Sequence, residues 1–174
     1  MRRLRYSVAA SLDGFIAGPA GDYDWITMDP SIDFAKLFAE FDTLVMGRKT
    51  FEVMQQHGEY GATPGMQVVV FSRTLEASDH PSATIVRDDP AAYVLELKRR
   101  PGKDIWLFGG GELFRLLLDA RMVDTIEVGL MPILLAEGIP VLPPGPRSPP
   151  LTLTRSETLP SGIVMLYYDI PKSG

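Results

Sequence analysis

Asp104-Ile105-Trp106-Leu107-Phe108-Gly109-Gly110-Gly111-Glu112-Leu113-Phe114 is the stretch on which the fold turns. Asp104 to Phe108 is short and almost wholly apolar, the pattern of a strand buried on both faces of a parallel sheet. Glu112 to Ala120 then has helical spacing. Between them, three consecutive glycines exceed what a tight turn needs and leave room for a ligand against bare backbone. The start of the helix offers unpaired N–H groups and a partial positive charge, which suits a pyrophosphate. The full G-x-G-x-x-G fingerprint is not met, because Phe114 occupies its last position. A plain strand-to-helix turn is the alternative reading.

Working outward, the same alternation repeats. Upstream lie a helix over Pro90–Arg99, a short strand Ala83–Val86 and a buried strand Met66–Phe71. Before these come a helix Lys49–Gln56 and an apolar strand Thr43–Met46. The spacing of Phe34, Leu37, Phe38 and Phe41 predicts a helix over Ser31–Phe41, capped by Asp29 or Ser31 with Pro30 in its first turn. The first strand is Tyr6–Leu12. Asp13-Gly14 turns the chain, Phe15 to Ala17 continues it, and Gly18 to Asp24 is a loop. Downstream, Thr125–Leu130 is a strand and Met131–Pro150 is irregular. Leu151–Leu159 and Ile163–Ile170 form an antiparallel hairpin on the sheet edge. The fold class is α/β: one domain over residues 1–174, a mixed, mostly parallel central sheet flanked by helices. Thr43–Met46, Met66–Phe71 and Asp104–Phe108 are its central strands.

Composition narrows the function. The chain has 174 residues, a net charge of −5 and no cysteine. Length suits one core. The negative balance argues against a nucleic-acid-coating protein. Disulfides, thiol catalysis and thiolate metal sites are excluded. Only His57 and His80 are present, both expected at the surface, so no metal centre is predicted. No run approaches the apolar length of a membrane helix, and cytoplasmic location is the default.

Two further strand ends carry polar turns, and in open α/β sheets ligands bind beyond the carboxyl ends of the strands. Gly47-Arg48-Lys49-Thr50 combines a glycine, a helix start, two cations and a hydroxyl, which suits a phosphate. A solvated basic helix start is the other reading, and no Walker motif is present. Ser72-Arg73 places a hydroxyl and a guanidinium where they could hold the 2′-phosphate that separates NADP from NAD. A solvated turn is its alternative.

Taken together, these turns carry a resemblance. Met46-Gly47-Arg48-Lys49-Thr50-Phe51 is similar to the Gly-Arg-x-Thr segment of dihydrofolate reductases. Ser72-Arg73 falls where that superfamily places adenosine-phosphate contacts, and Gly109-Gly110-Gly111-Glu112-Leu113 resembles its glycine pair before a helix. With Ser11-Leu12-Asp13-Gly14-Phe15-Ile16-Ala17, the likeness covers nearly the whole chain. That first segment, with Pro132-Ile133-Leu134-Leu135-Ala136-Glu137-Gly138, looks more like the C-terminal reductase domain of the riboflavin-biosynthesis deaminase–reductase. Stand-alone bacterial relatives of that domain are the best match.

The resemblance implies a dihydrofolate reductase-like fold and an NADPH-dependent oxidoreductase. Hydride would pass to a small pteridine- or pyrimidine-like heterocycle, 5-amino-6-(5-phosphoribosylamino)uracil among the candidates. The expected cofactor contacts are Ala9, Ile16, Gly47, Arg48, Lys49, Thr50, Ser72, Arg73, Gly109, Gly110, Gly111, Glu112 and Leu113. Asp33 is the candidate catalytic acid on the first helix, or simply a first-turn acid favoured by the dipole. Asp13, Trp25, Phe34 and Leu37 are the candidate substrate contacts. Asp13 could equally make its turn, and the other three could be core. A branched side chain at Gly111 is expected to displace the pyrophosphate while leaving the fold intact. Ile133, Leu134, Ile139, Val141, Leu142, Val164, Leu166 and Tyr168 add apolar surface at the edge, and a two-fold homodimer follows. The alternatives from other classes are a non-catalytic homodimeric module binding NADP or a pteridine, and an apo structural oligomer.

Overall fold

The computed structural model describes residues 1–56, 58 and 65–171, and His57 lies outside them. In these the chain runs β1 (Leu4–Ser11), β2 (Phe15–Ala17), α1 (Phe34–Phe38), β3 (Phe41–Gly47), α2 (Arg48–Gln56), β4 (Gln67–Phe71) and β5 (Ala83–Val86). It continues through α3 (Pro90–Arg99), β6 (Asp104–Gly109), α4 (Gly111–Asp119), β7 (Thr125–Met131), β8 (Ile139–Pro140), β9 (Thr152–Thr158) and β10 (Val164–Asp169).

The main sheet has the order β5-β4-β3-β6-β1-β7-β10-β9. From β5 across to β7 the strands are parallel. Then β10 runs antiparallel to β7, and β9 antiparallel to β10. This is the mixed, mostly parallel sheet with a terminal hairpin that the apolar runs predict, and β4, β3 and β6 are interior. The chain leaves β3 toward β4 and β5 but leaves β6 toward β7, on the other side. The topological switch point therefore lies between β3 and β6.

Alternation along the strands sorts the core into two layers. Val45, Val69, Ile105 and Leu107 face Val94 and Leu97 of α3 and Leu113, Phe114 and Leu117 of α4. Their neighbours Leu44, Met46, Val68, Val70 and Trp106 face Phe51 and Met54 of α2. Burial on both sides is why these strands read as continuous apolar runs. Helix α3 carries its own signals: the Asp89 carboxylate accepts from Ala91 N at 2.8 Å, Pro90 opens the helix, and Lys98 and Arg99 close it.

Three expectations are corrected. The helix predicted over Ser31–Phe41 is only Phe34–Phe38. Asp33, not Asp29 or Ser31, is its cap, and Phe41, in helical register by spacing, is instead buried at the start of β3. Asp29 is buried and ties two segments together: its carboxylate accepts from Ser31 N at 2.8 Å and from Ser161 N at 2.9 Å. Hydrogen bonds from Ser161 and Ser31 hold that carboxyl well below the usual carboxylate range. Within the stretch read as irregular, β8 pairs with β2 in a separate two-stranded sheet. His80 is half-buried rather than at the surface, edge-on to Phe51 with ring centroids 5.2 Å apart.

Candidate functional site

Parallel pairing brings the polar turns to one edge. Gly47 pairs with Phe71, so Ser72 emerges beside it, and Met46 pairs with Gly109. The ends of β4, β3, β6 and β1 thus stand in a row across the switch point. Thr50, in the first turn of α2, closes the gap to the glycine turn. A Cβ built on Gly109 or Gly110 would lie 3.3 or 3.4 Å from its Oγ1. A Cβ on Gly47 would meet nothing within 4 Å. Bare backbone therefore borders a slot at this edge that is open at Gly47 and narrowed by Thr50 at Gly109 and Gly110. Gly110 is the N-cap of α4 and supplies no side-chain cap, which leaves the first N–H groups of that helix for another acceptor. With the start of α2 beside it, the slot has the donors and the positive potential that a pyrophosphate requires. Two surface concavities, of about 350 and 260 Å3, lie elsewhere. One is at the amino-terminal edge beside Arg3 and Asp169, the other on the open sheet face beside Glu127 and Tyr167. Both are lined by paired charges.

A family model described as the RibD C-terminal domain matches residues 2–165. The chain belongs to this family. The Bacillus subtilis protein YyaP is 33% identical over 178 residues, covering 96% of this chain and 94% of its own. A crystal structure from Shewanella sp. PV-4 is 24% identical, covers 99% of this chain and 100% of that one, and superposes with a TM-score of 0.83. The Thermotoga maritima diaminohydroxyphosphoribosylaminopyrimidine deaminase/5-amino-6-(5-phosphoribosylamino)uracil reductase is 17% identical with a TM-score of 0.74. There the likeness covers 98% of this chain and 57% of that one. These structures share the dihydrofolate reductase-like fold predicted above. Among the described residues no helix is long and apolar enough to cross a membrane.

Within this family frame the expected cofactor residues divide. Gly47, Thr50, Gly109 and Gly110 border the slot, and Lys49 is exposed beside it. Arg48 is exposed and pairs with Glu52 at 3.2 Å. Glu112 is exposed in the first turn of α4. Ser72 turns inward, its hydroxyl oxygen accepting from Thr74 N and Leu75 N, so Arg73 alone of that pair is exposed. Leu113 is packed in the core. Gly111 departs from expectation: a Cβ there would lie 3.1 Å from Pro143 Cδ and 3.2 Å from the Pro140 carbonyl oxygen. The proline-rich strap between β7 and β9, residues 132–151, crowds this position, so a side chain at Gly111 meets protein first. Ala9 packs with Trp25 beside Met131 and Ile163, and Ile16 is half-buried in β2.

The two candidate acids have structural partners. Asp33 Oδ1 accepts from Lys36 N at 2.9 Å, and no other hydrogen bond or ion pair reaches it among the described residues. Asp13 accepts from Ser11 Oγ at 2.6 Å, Leu135 N at 3.1 Å and Ala136 N at 2.8 Å. The Ser11 hydroxyl and these amides hold its carboxyl below the usual range. Asp13 thereby fixes the strap, including Ala136 at φ 67°. Farther along, Val141 N donates to Gly14 O and Arg115 Nη2 donates to Pro146 O. Asp13→Ala is expected to speed amide hydrogen exchange at Leu135 and Ala136 by about tenfold or more, the loss of a charge-assisted bond. Unchanged protection there would refute the clamp.

Phe34 and Leu37 are half-buried on α1: Leu37 packs with Phe38 and Phe108 on the core cluster beneath α2, and Phe34 lies beside Phe38, ring centroids 5.9 Å apart. Phe108 reads as one more apolar strand residue. Only its position, last before the glycines on a central strand, marks it.

Proposed function

We propose that this chain is an NADPH-dependent reductase acting on a small heterocycle of the pteridine or pyrimidine kind. The observation that carries the reading is the glycine-edged turn at the switch point, where the Gly47 backbone faces open space and the Gly109 and Gly110 backbone lies against Thr50. The residues fit the cofactor: the N–H groups at the start of α4 and the Thr50 hydroxyl would hold its pyrophosphate, and exposed Arg73 its 2′-phosphate. When bound, NADPH supplies the hydride. The family membership and the reductase activity named for the Thermotoga maritima protein support this reading. A non-catalytic NADP-binding module is favoured by one observation, the commitment of Asp13 and Asp33 to backbone N–H groups. Loss of NADPH absorbance with a panel of pteridines and aminopyrimidines tests turnover, and a rise in melting temperature with NADPH tests binding. Arg73→Ala is expected to weaken NADPH by about tenfold and leave NADH unchanged. Equal loss for both cofactors would reject the 2′-phosphate role.

The homodimer belongs to the same reading. Strand β9 is exposed along its whole length at the sheet edge, and Leu134 and Leu153 are 67% and 51% exposed. Light scattering is expected to give twice the chain mass at micromolar concentration, and a monomer would remove this part of the proposal.

A further inference from the structure

Among the described residues, none from 132 to 151 is buried, yet this strap follows a defined path over the sheet edge. Its apolar hold is partial: Val141, Leu142 and Leu151 pack on the rim of the core cluster beneath α3 and α4. Its polar hold is concentrated at two places. At the first, the Asp13 carboxylate accepts from Leu135 N and Ala136 N. At the second, the Arg115 guanidinium donates to the Pro146 carbonyl at 2.5 Å. Between them Val141 N donates to Gly14 O, and β8 pairs with β2. A segment with so little burial opens at the low end of a protein's local stabilities. Its seven prolines restrict the backbone, so it moves as a stiff piece between its two fastenings.

Arg115, unlike the strap it holds, is buried. It lies four residues after Gly111 and therefore on the same side of α4. Gly111 is crowded by Pro140 and Pro143, and a Cβ on Gly145 would overlap the Arg115 guanidinium. Residues 140–146 thus run along α4 from its first turn to its second. Asp119, one turn further on, pairs with Arg115 Nε at 3.1 Å and aims the guanidinium at the strap. Gly110, on the other side of the same first turn, lies against Thr50 at the slot. The start of α4 therefore serves two neighbours, the strap and whatever occupies the slot. A seated strap shields that turn from water on one side and fixes its backbone. A released strap admits water there, and a charge-assisted bond from these N–H groups to a phosphate is then weaker.

We propose that Arg115 is a positioning residue for the cofactor: by bolting the strap to α4, it orders the turn whose N–H groups meet the pyrophosphate. The identity of the ligand rests on the reductase reading; the coupling rests on the shared turn. Arg115 acts through the strap and Gly111. Linkage makes the effect reciprocal. If the seated strap favours the ligand by some factor, the ligand favours the seated strap by the same factor.

Amide hydrogen exchange on the full chain, read at Leu135, Ala136 and Val141, measures strap opening. The probes are NADPH and inorganic pyrophosphate. Saturating NADPH is expected to slow exchange at these three amides by about fivefold, the lower end of the usual coupling between sites. Arg115→Met is expected to weaken NADPH by about the same factor, fivefold, and to speed exchange at Val141. Methionine keeps the stem, and Asp119 is exposed, so no buried anion is stranded. Arg115→Lys keeps a donor for the Pro146 carbonyl and is expected to recover part of the affinity. An arginine with only a structural role would lower the melting temperature and leave both the NADPH affinity of the folded fraction and the ligand-induced slowing untouched. Asp13→Ala, at an exposed residue, releases the other fastening and serves if Arg115→Met fails to fold; it too is expected to weaken NADPH by about fivefold. Wild-type NADPH affinity in both variants would overturn the proposal. So would exchange unchanged by either probe. The melting shift with NADPH separates the two readings. If NADPH raises the melting temperature and strap exchange is unchanged, the coupling falls and the reductase reading stands. If pyrophosphate slows exchange and NADPH does not bind, the coupling stands and the reductase reading falls.

Discussion

Gly110→Ala is expected to lower NADPH affinity by about a hundredfold, the loss of two charge-assisted backbone contacts. The fold should survive. A Cβ at Gly110 meets a single atom, Thr50 Oγ1 at 3.4 Å, which is ordinary contact. Alanine for glycine at an N-cap costs roughly 0.5–1 kcal/mol, or a few degrees of melting temperature. The methyl instead projects into the space between Gly110 and Thr50, where phosphate oxygens would approach the N–H groups at the start of α4. Gly111→Val should show the opposite pattern. Its branches meet Pro143 and the Pro140 carbonyl, so the strap must move and stability falls first. Melting temperature and NADPH affinity on both variants give a crossed result: affinity lost with stability kept at Gly110, stability lost at Gly111. Full NADPH affinity in Gly110→Ala would remove the slot as the cofactor's site.

That contrast between adjacent glycines shows where sequence reading stops. Local signals are enough for most of the strands and helices. The helix predicted over Pro90–Arg99 is present with those bounds because cap, proline and closing cations agree. The apolar run Asp104–Phe108 is a central strand because burial on both faces writes itself into composition. Helix α1 was overread because Phe38 and Phe41 share helical spacing, and only the pull of Phe41 into the sheet decides against it. The strap was illegible for another reason. Its path is set by contacts across long stretches of chain: Asp13 to Ala136, Gly14 to Val141, Arg115 to Pro146. No periodicity encodes these. Three glycines in a row point to a ligand site, but which glycine faces the slot and which faces the strap depends on where Pro140 and Pro143 come to rest. Phe108 was hidden by the strength of the strand signal around it, since one half-exposed phenylalanine in an apolar run looks like its neighbours.

Lys98→Met is expected to destabilise the protein by about 3–5 kcal/mol, the cost of stranding a buried charge. Lys98 and Asp124 are 4% and 5% exposed. Lys98 Nζ donates to the Asp124 carboxylate and, at 2.9 Å, to the Met122 carbonyl. Asp124 also accepts from Leu4 N at 2.8 Å. This pair joins the last turn of α3, the entry to β7 and the start of β1, at the sheet edge opposite the glycine slot. Methionine keeps most of the volume of the lysine stem, so the loss is electrostatic: the Asp124 carboxylate loses the Lys98 ammonium. A double replacement, Lys98→Met with Asp124→Asn, should recover part of the loss, because the buried carboxylate is then replaced along with its cation. Urea unfolding of the single and double variants measures both quantities through the midpoint at constant slope. Because the pair lies at the far edge, the folded fraction of Lys98→Met should bind NADPH with wild-type affinity. A change in that affinity would mean that the two edges of the sheet are coupled, and a destabilisation under about 1 kcal/mol, the range of a solvated surface pair, would mean that Asp124 finds water or another partner once Lys98 is gone.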